Sequence, residues 1–274
     1  YDVRLDLRVV YQALCKNHPK PEDSAYPLWM GLPLETKLTR TQLAERVDEC
    51  LGVQRKPTER SAAQQQRLTT LTRVVKLPEA EILAHLNWAT WHFQDISMRK
   101  LKGRNPFGNE GVTYAGSPDD DALNRDVLRY RADPDALAEL ARDADPTGRL
   151  LLPTLTMHGI DDLTAFVEME SHFSDAVTEA GAADKLVQVY TADHAHSYSS
   201  DAHYVSAMNA LLDWVDKGTK PDATSLLQRC KTLPATWQPA TGCRIQADYQ
   251  PASLDSRVPP RRRHEAATPG VKRP

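Results

Sequence analysis

Two short segments hold the residues best suited to chemistry. They are Thr156-Met157-His158-Gly159-Ile160-Asp161-Asp162 and Asp193-His194-Ala195-His196-Ser197-Tyr198. Each follows an apolar run that reads as a strand, and each precedes a helical pattern. In an open parallel sheet, functional loops lie at the C-terminal ends of the strands, so neighbouring strands would bring these two loops together. A neutral imidazole there can take the proton of a nucleophile's hydroxyl. A carboxylate behind it fixes the tautomer and stabilises the imidazolium that forms. The 34 residues from Asp162 to His196 suit one crossover helix and one strand. Asp161 or Asp162 is the candidate acid, and His194 or His196 the candidate base. The bland roles are a helix cap for Asp162 and solvent exposure for the histidines. The nucleophile of such a triad sits in a Gly-x-Ser-x-Gly turn, and no such turn occurs in these 274 residues.

Other chemistry is poorly supported. Ser117 in Ala115-Gly116-Ser117-Pro118 lacks the second glycine. Pro118 also removes the backbone N–H that completes an oxyanion hole. The run Asp119-Asp120-Asp121 with Asn124 lacks the spacing of a calcium loop and reads as a helix start. His194-x-His196 finds no third ligand at useful spacing, so no metal and no cofactor is assigned.

The elements that must position these residues change character along the chain. Residues 3–14 alternate first and then read as a helix into Cys15. Residues 16–40 are loop-like, with four prolines. Helical periods follow at Leu43 and Val47, at Leu68, Leu71 and Val75, and at Ile82, Leu86, Ala89 and Phe93. Pro78-Glu79 marks the start of the third helix. Residues 103–119 read as a long loop. Asp119 caps a helix through Leu123 and Val127, and Asp133-Pro134 opens another through Leu137 and Leu140. Leu150 to Met157 then reads as a buried strand. A helix opens near Thr164 with Phe166, Phe173 and Val177 on one face, and Gly181 stops it. Leu186 to Tyr190 is a second strand. Tyr204, Met208, Leu211 and Val215 mark a final amphipathic helix ended by Gly218. Strand, helix, strand, helix is the pattern of a parallel sheet. Beyond Lys220 the period is lost, and from Pro259 the chain is basic and reads as disordered.

Composition excludes little else. Apolar content of 41%, charged content of 26% and a net charge of −3 fit an ordinary globular chain with no general pull toward nucleic acid or anionic membrane. No apolar run approaches the roughly 18 residues needed to cross a bilayer. The first residue is Tyr1, which reads as a processed chain or a fragment. Cys15 and Cys50 form a front pair, and Cys230 and Cys243 bracket a proline-rich loop with little core of its own. Two disulfides, Cys15–Cys50 and Cys230–Cys243, are expected, and with them a secreted or periplasmic setting.

One resemblance bears on the missing nucleophile. The stretch from Gly103 to Pro221 resembles the C-terminal part of secreted bacterial α/β-hydrolases of the esterase, depolymerase and tannase-like kind. The matching residues are Gly103-Arg104-Asn105-Pro106-Phe107-Gly108-Asn109, Tyr114-Ala115-Gly116-Ser117, Pro146-Thr147-Gly148-Arg149, His158-Gly159-Ile160-Asp161-Asp162 and Leu212-Asp213-Trp214-Val215-Asp216-Lys217-Gly218. The resemblance implies that Asp162, fifth in His-Gly-x-x-Asp, is the acid. It also implies that His196, 18 residues before Trp214, is the base. Two positions depart from the pattern: Leu163 stands where a proline often follows the acid, and Ser197 where tannase-like members carry a cysteine.

The resemblance implies an α/β fold holding the last two parallel strands of a hydrolase core with their helices and a helical cap. Residues 1–15 would end the preceding core segment, 16–148 form the cap, 149–220 the βαβα unit, 221–256 a disulfide-stapled extension and 257–274 a basic disordered tail. Trp29, Trp88, Trp91 and Phe107 would wall the substrate pocket. The function implied is that of a serine ester hydrolase acting on a small or polymeric ester. Its nucleophile would come from an N-terminal hydrolase segment, of the same precursor or a partner chain, so this chain would be inactive alone. The alternative is a non-catalytic helical binding or assembly module derived from such a hydrolase.

Overall fold

The computed structural model describes residues 2–194, 196, 198–237 and 242–261. The described residues fold as helices with a small parallel sheet of two strands, in two compact bodies: residues 2–144 with 258–261, and the described residues of 145–257.

The first body is helical. Its centre is α1 (Asp2–Cys15), one continuous helix rather than the strand-then-helix read from the alternation of Val3, Leu5, Leu7 and Val9. The reason is burial on every side. Leu5, Leu7, Val9, Val10 and Tyr11 are all fully buried, and so are Asp6 and Arg8 between them. A helix covered all round need not carry a single apolar stripe. Arg8 donates to the carbonyls of Ala89, at 2.7 Å, and Gly31, at 2.5 Å. Asp6 accepts from Tyr114 Oη at 2.6 Å and from Arg261 at 2.8 Å. Arg261 is therefore held in place, although the sequence puts it in a disordered tail; residues 262–274 lie outside the described residues.

Against α1 pack α3 (Ala62–Val75) and α4 (Ile82–Gln94), and α2 (Arg40–Leu51) packs on α3 and α4, at the positions that the helical periods predict. Thr39 with Gln42, and Ser61 with Gln64, form capping boxes that start α2 and α3. A disulfide joins Cys15 at the end of α1 to Cys50 on α2. Asp119 caps α5 (Asp120–Asp126) by accepting from Ala122 N at 2.9 Å, and α6 (Pro134–Ala144) follows Asp133-Pro134. Residues 1–15 thus belong with the helical body and not with the sheet. The division of the chain falls after Ala144 rather than after 148.

The second body holds β1 (Thr154–Gly159) and β2 (Leu186–Thr191), paired in parallel with Thr154 opposite Leu186 and Gly159 opposite Thr191. Contrary to the expected buried strand from Leu150, Leu151 and Leu152 are 83% and 72% exposed, and no residue of β1 is fully buried. Period two separates the faces of a strand. Leu155 joins Val187 and Val189 in the apolar core with α8 (Asp201–Lys217) and α9 (Ala223–Lys231). Thr156 and His158 lie with Gln188 on the opposite, polar face, where they meet Glu170 of α7 (Met169–Glu179). α7 begins later than Thr164, because the Asp162 carboxylate ties the Thr164 and Ala165 N–H groups into a turn. Gly148 closes the entry to this body with φ +68°, and a Cβ there would lie 2.0 Å from the Ala176 carbonyl oxygen.

α8 turns most of its expected apolar stripe outward, although Leu211 packs against the core as expected. It meets the core through Ala202, Ser206, Ala210 and Trp214, mostly small residues that let helix and sheet approach closely. Tyr204, Met208 and Val215 of the predicted inner face point outward at 44%, 57% and 58% exposure, with Leu212 beside them at 49%. α9 was not legible as a helix beyond Lys220. It is started by an Asp222–Ser225 capping box and tied to the following loop by the Cys230–Cys243 disulfide. Its contacts with α8 and β2 place residues 221–256 within the same body as the sheet.

Candidate active site

The site is built where both strands end. β1 runs into Ile160-Asp161-Asp162, and β2 into the loop 192–200. Backbone bonds from Ile160 N to Thr191 O, at 2.9 Å, and from Asp161 N to Asp193 O, at 3.2 Å, carry the strand pairing on into the two loops. They fix the position of Asp162 relative to the histidine loop.

Asp162 is buried at 5% exposure. Its Oδ1 accepts from Thr164 N at 2.8 Å and Ala165 N at 3.1 Å. Its Oδ2 meets His196 Nδ1 at 2.8 Å. A carboxylate only accepts, so the neutral His196 ring carries its proton on Nδ1 and leaves Nε2 unprotonated. The His196 side chain is 50% exposed. Among the described residues, none is hydrogen-bonded to its Nε2. Geometry thus separates the candidate pairs. Asp161 and His194 are 3.7 Å apart with side chains 55% and 82% exposed, a solvated surface contact.

His158 and Glu170 lie behind the acid. His158 Nδ1 is 3.0 Å from Glu170 Oε1, its Nε2 is 2.9 Å from the Ala165 carbonyl, and Nε2 also lies 3.6 Å from Asp162 Oδ2. The hydrogen bond to Glu170 raises the His158 pKa above its ordinary value, outweighing burial. Burial pushes Glu170 the other way, but the hydrogen bond from His158, helped by Gln188 and Thr156, holds its carboxyl below the ordinary range. Neither role was legible beforehand. His158 read only as a motif residue, and Glu170 only as part of a helix.

A second cluster looks like a triad and is not one. Ser199 Oγ hydrogen-bonds both His203 Nδ1 and Asp193 Oδ2, the latter at 3.1 Å. The Arg244 N–H donates to His203 Nε2 at 2.9 Å, so that nitrogen is an acceptor. Burial lowers the His203 pKa, keeping the ring neutral with its proton on Nδ1. His203 therefore donates to Ser199, and Ser199 donates to Asp193. A serine that receives the histidine's proton is not being activated by it. With the Arg244–Asp193 ion pair, the cluster anchors the histidine loop. Ser117 has no base either: its Oγ donates to Asp120 Oδ1 at 2.6 Å in the turn before α5.

The cleft beside His196 holds about 130 Å³ and is lined by residues between Met157 and Tyr204. Pockets for drug-sized ligands measure roughly 300–1,000 Å³, so this cleft is smaller than those. The four aromatics expected as pocket walls all belong to the helical body. Phe107 is 2% exposed and stacks on Phe93 at 4.1 Å, a core position. Arg4 lies over the Trp88 ring and Arg40 over Trp91, at 4.8 and 5.6 Å. Trp29 sits in the single turn Leu28–Met30, its carbonyl accepting from Ser97. Among the described residues, no group of three histidine, cysteine or acidic side chains could hold a metal ion.

Comparisons with known protein families, with curated proteins and with solved structures find no match to this chain.

Proposed function

We propose that this chain supplies the general base and the acid of a serine ester hydrolase, with the nucleophile contributed by polypeptide outside these 274 residues. The observation that carries the reading is the 2.8 Å bond from His196 Nδ1 to a buried Asp162 that two backbone N–H groups hold in place. This dyad leaves Nε2 unprotonated in a cleft at the ends of neighbouring parallel strands. In the reaction His196 Nε2 takes the proton of the serine hydroxyl as its oxygen attacks the ester carbonyl. The proton then goes to the departing alcohol, and water releases the acyl group by the same steps in reverse roles. Asp162 holds the tautomer and balances the imidazolium.

Incomplete surfaces around the dyad support an outside contributor. Among the described residues β1 is paired on one edge only, while the outer edge of β2 is met by the Thr191–Ile245 bridge. Leu151 and Leu152, just before β1, and Met208, Leu212 and Val215 on α8 are exposed. An open strand edge and exposed apolar side chains suit further sheet and helix. The two disulfides and the lack of a helix long and apolar enough to cross a membrane are compatible with a secreted or periplasmic setting.

A fluorophosphonate probe tests the reading. The isolated chain should not label; a complex with the N-terminal hydrolase segment should, and His196→Ala should abolish it. Labelling of the isolated chain would overturn the placement of the nucleophile. The same exposed surfaces suit the alternative, a non-catalytic assembly module, which predicts a complex that never labels.

A further inference from the structure

His158 is placed to do more than pack. Its two ring nitrogens face two groups that can only accept, the Ala165 carbonyl at 2.9 Å and the Glu170 carboxylate at 3.0 Å. A neutral imidazole has one N–H and can satisfy only one of them. The doubly protonated ring satisfies both. Ala165 is also gripped from its other side, since its N–H donates to Asp162 Oδ1 at 3.1 Å. One residue thus links the imidazolium to the acid of the dyad.

We propose that His158, as an imidazolium, is the positioning residue of the acid loop: it clamps Ala165 between itself and Asp162, and releases that clamp when it loses a proton. The inference rests on the reading of Asp162 and His196 as the catalytic pair. Glu170 is what keeps the cation in place. Its Oε1 accepts a hydrogen bond from His158 Nδ1, while Gln188 Nε2, at 2.6 Å, and Thr156 Oγ1, at 3.1 Å, donate to Oε2. The other titratable groups around His158 are Asp162 at 3.6 Å, Tyr190 opposite it on β2, and His196, Asp193 and Tyr204 in the shared cleft. Asp162 reinforces the cation, and burial raises the Tyr190 pKa above its ordinary value. The sign follows from a His158 pKa raised in the folded state. The clamp is fully present below the ordinary histidine value of 6.5 and is lost as pH rises through the higher folded value.

The test is nuclear magnetic resonance on the full chain with ¹⁵N-labelled histidine. At pH 6.5, the ordinary histidine value, both His158 nitrogens should be protonated in most molecules. The exchange protection of the Thr164 and Ala165 amides should fall about tenfold as His158 titrates, the effect of one lost hydrogen bond. In Glu170→Gln the transition should move to lower pH. In His158→Gln protection should no longer follow pH. Should His158→Gln not fold, the wild-type titration and Glu170→Gln decide alone. A His158 singly protonated in most molecules at pH 6.5, or amide protection indifferent to its titration, overturns the proposal. A complex with the N-terminal segment that never labels with fluorophosphonate, while this titration persists, removes the catalytic reading and leaves the clamp standing.

Discussion

Asp162→Asn separates what the carboxylate does for the fold from what it does for His196. Asp162 Oδ1 accepts two backbone N–H groups, and an asparagine carbonyl can accept the same two. Turning the amide the other way would set its NH₂ against those donors, so the orientation is fixed. The NH₂ then faces His196 Nδ1 where Oδ2 was, 2.8 Å away. A donor replaces an acceptor, and the ring must move its proton from Nδ1 to Nε2. A hydrogen bond to a charged group contributes about 1.5–3 kcal/mol. With the His196 side chain 50% exposed, the lower end applies. That corresponds to a tautomer preference of about tenfold in the wild type, replaced in the variant by a several-fold preference of opposite sense. Long-range ¹H–¹⁵N correlation spectra of the neutral ring report this directly. Stability should change by less than about 1 kcal/mol, because no buried donor loses its acceptor. In the completed enzyme, probe labelling should slow by about 10⁴-fold from the wrong tautomer. If His196 shows the same tautomer in both proteins, the Asp162–His196 bond does not operate in solution and the mechanism built on it fails.

Three further outcomes follow from other parts of the molecule. Replacing Met208 and Leu212 by glutamate should leave the melting temperature of the isolated chain nearly unchanged, since both side chains are about half exposed. The same change should abolish labelling that depends on the N-terminal segment; retained labelling would exclude this face as its docking surface. Gly148→Ala should cost about 3 kcal/mol or more in denaturant unfolding, because the new Cβ meets backbone atoms of Ala176 at 2.0 and 2.3 Å and φ is +68°. Removing the Cys230–Cys243 link, whose ends are 13 residues apart, should cost about 3 kcal/mol by loop-closure entropy; equal unfolding midpoints with and without reductant would contradict this.

The sequence determined much of the site before any coordinates. The turn residues after two apolar runs, their separation, and the lack of Gly-x-Ser-x-Gly located both loops and pointed outside the chain for a nucleophile. Helix starts at Asp119 and Asp133 depend on side chains that cap their own backbone, so they are local and legible. Tertiary structure decided what depends on neighbours. Burial on all sides made α1 a helix despite its alternation, and close packing through Ala202, Ser206 and Ala210 turned most of the apolar stripe of α8 outward. The resemblance already preferred Asp162 over Asp161, and the fold adds the two backbone N–H groups that hold its carboxylate. The charge on His158 came from Glu170, twelve residues away in sequence and 3.0 Å away in space. Local patterns record what a residue does to its own backbone. Protonation and facing are set by groups that only the fold brings near.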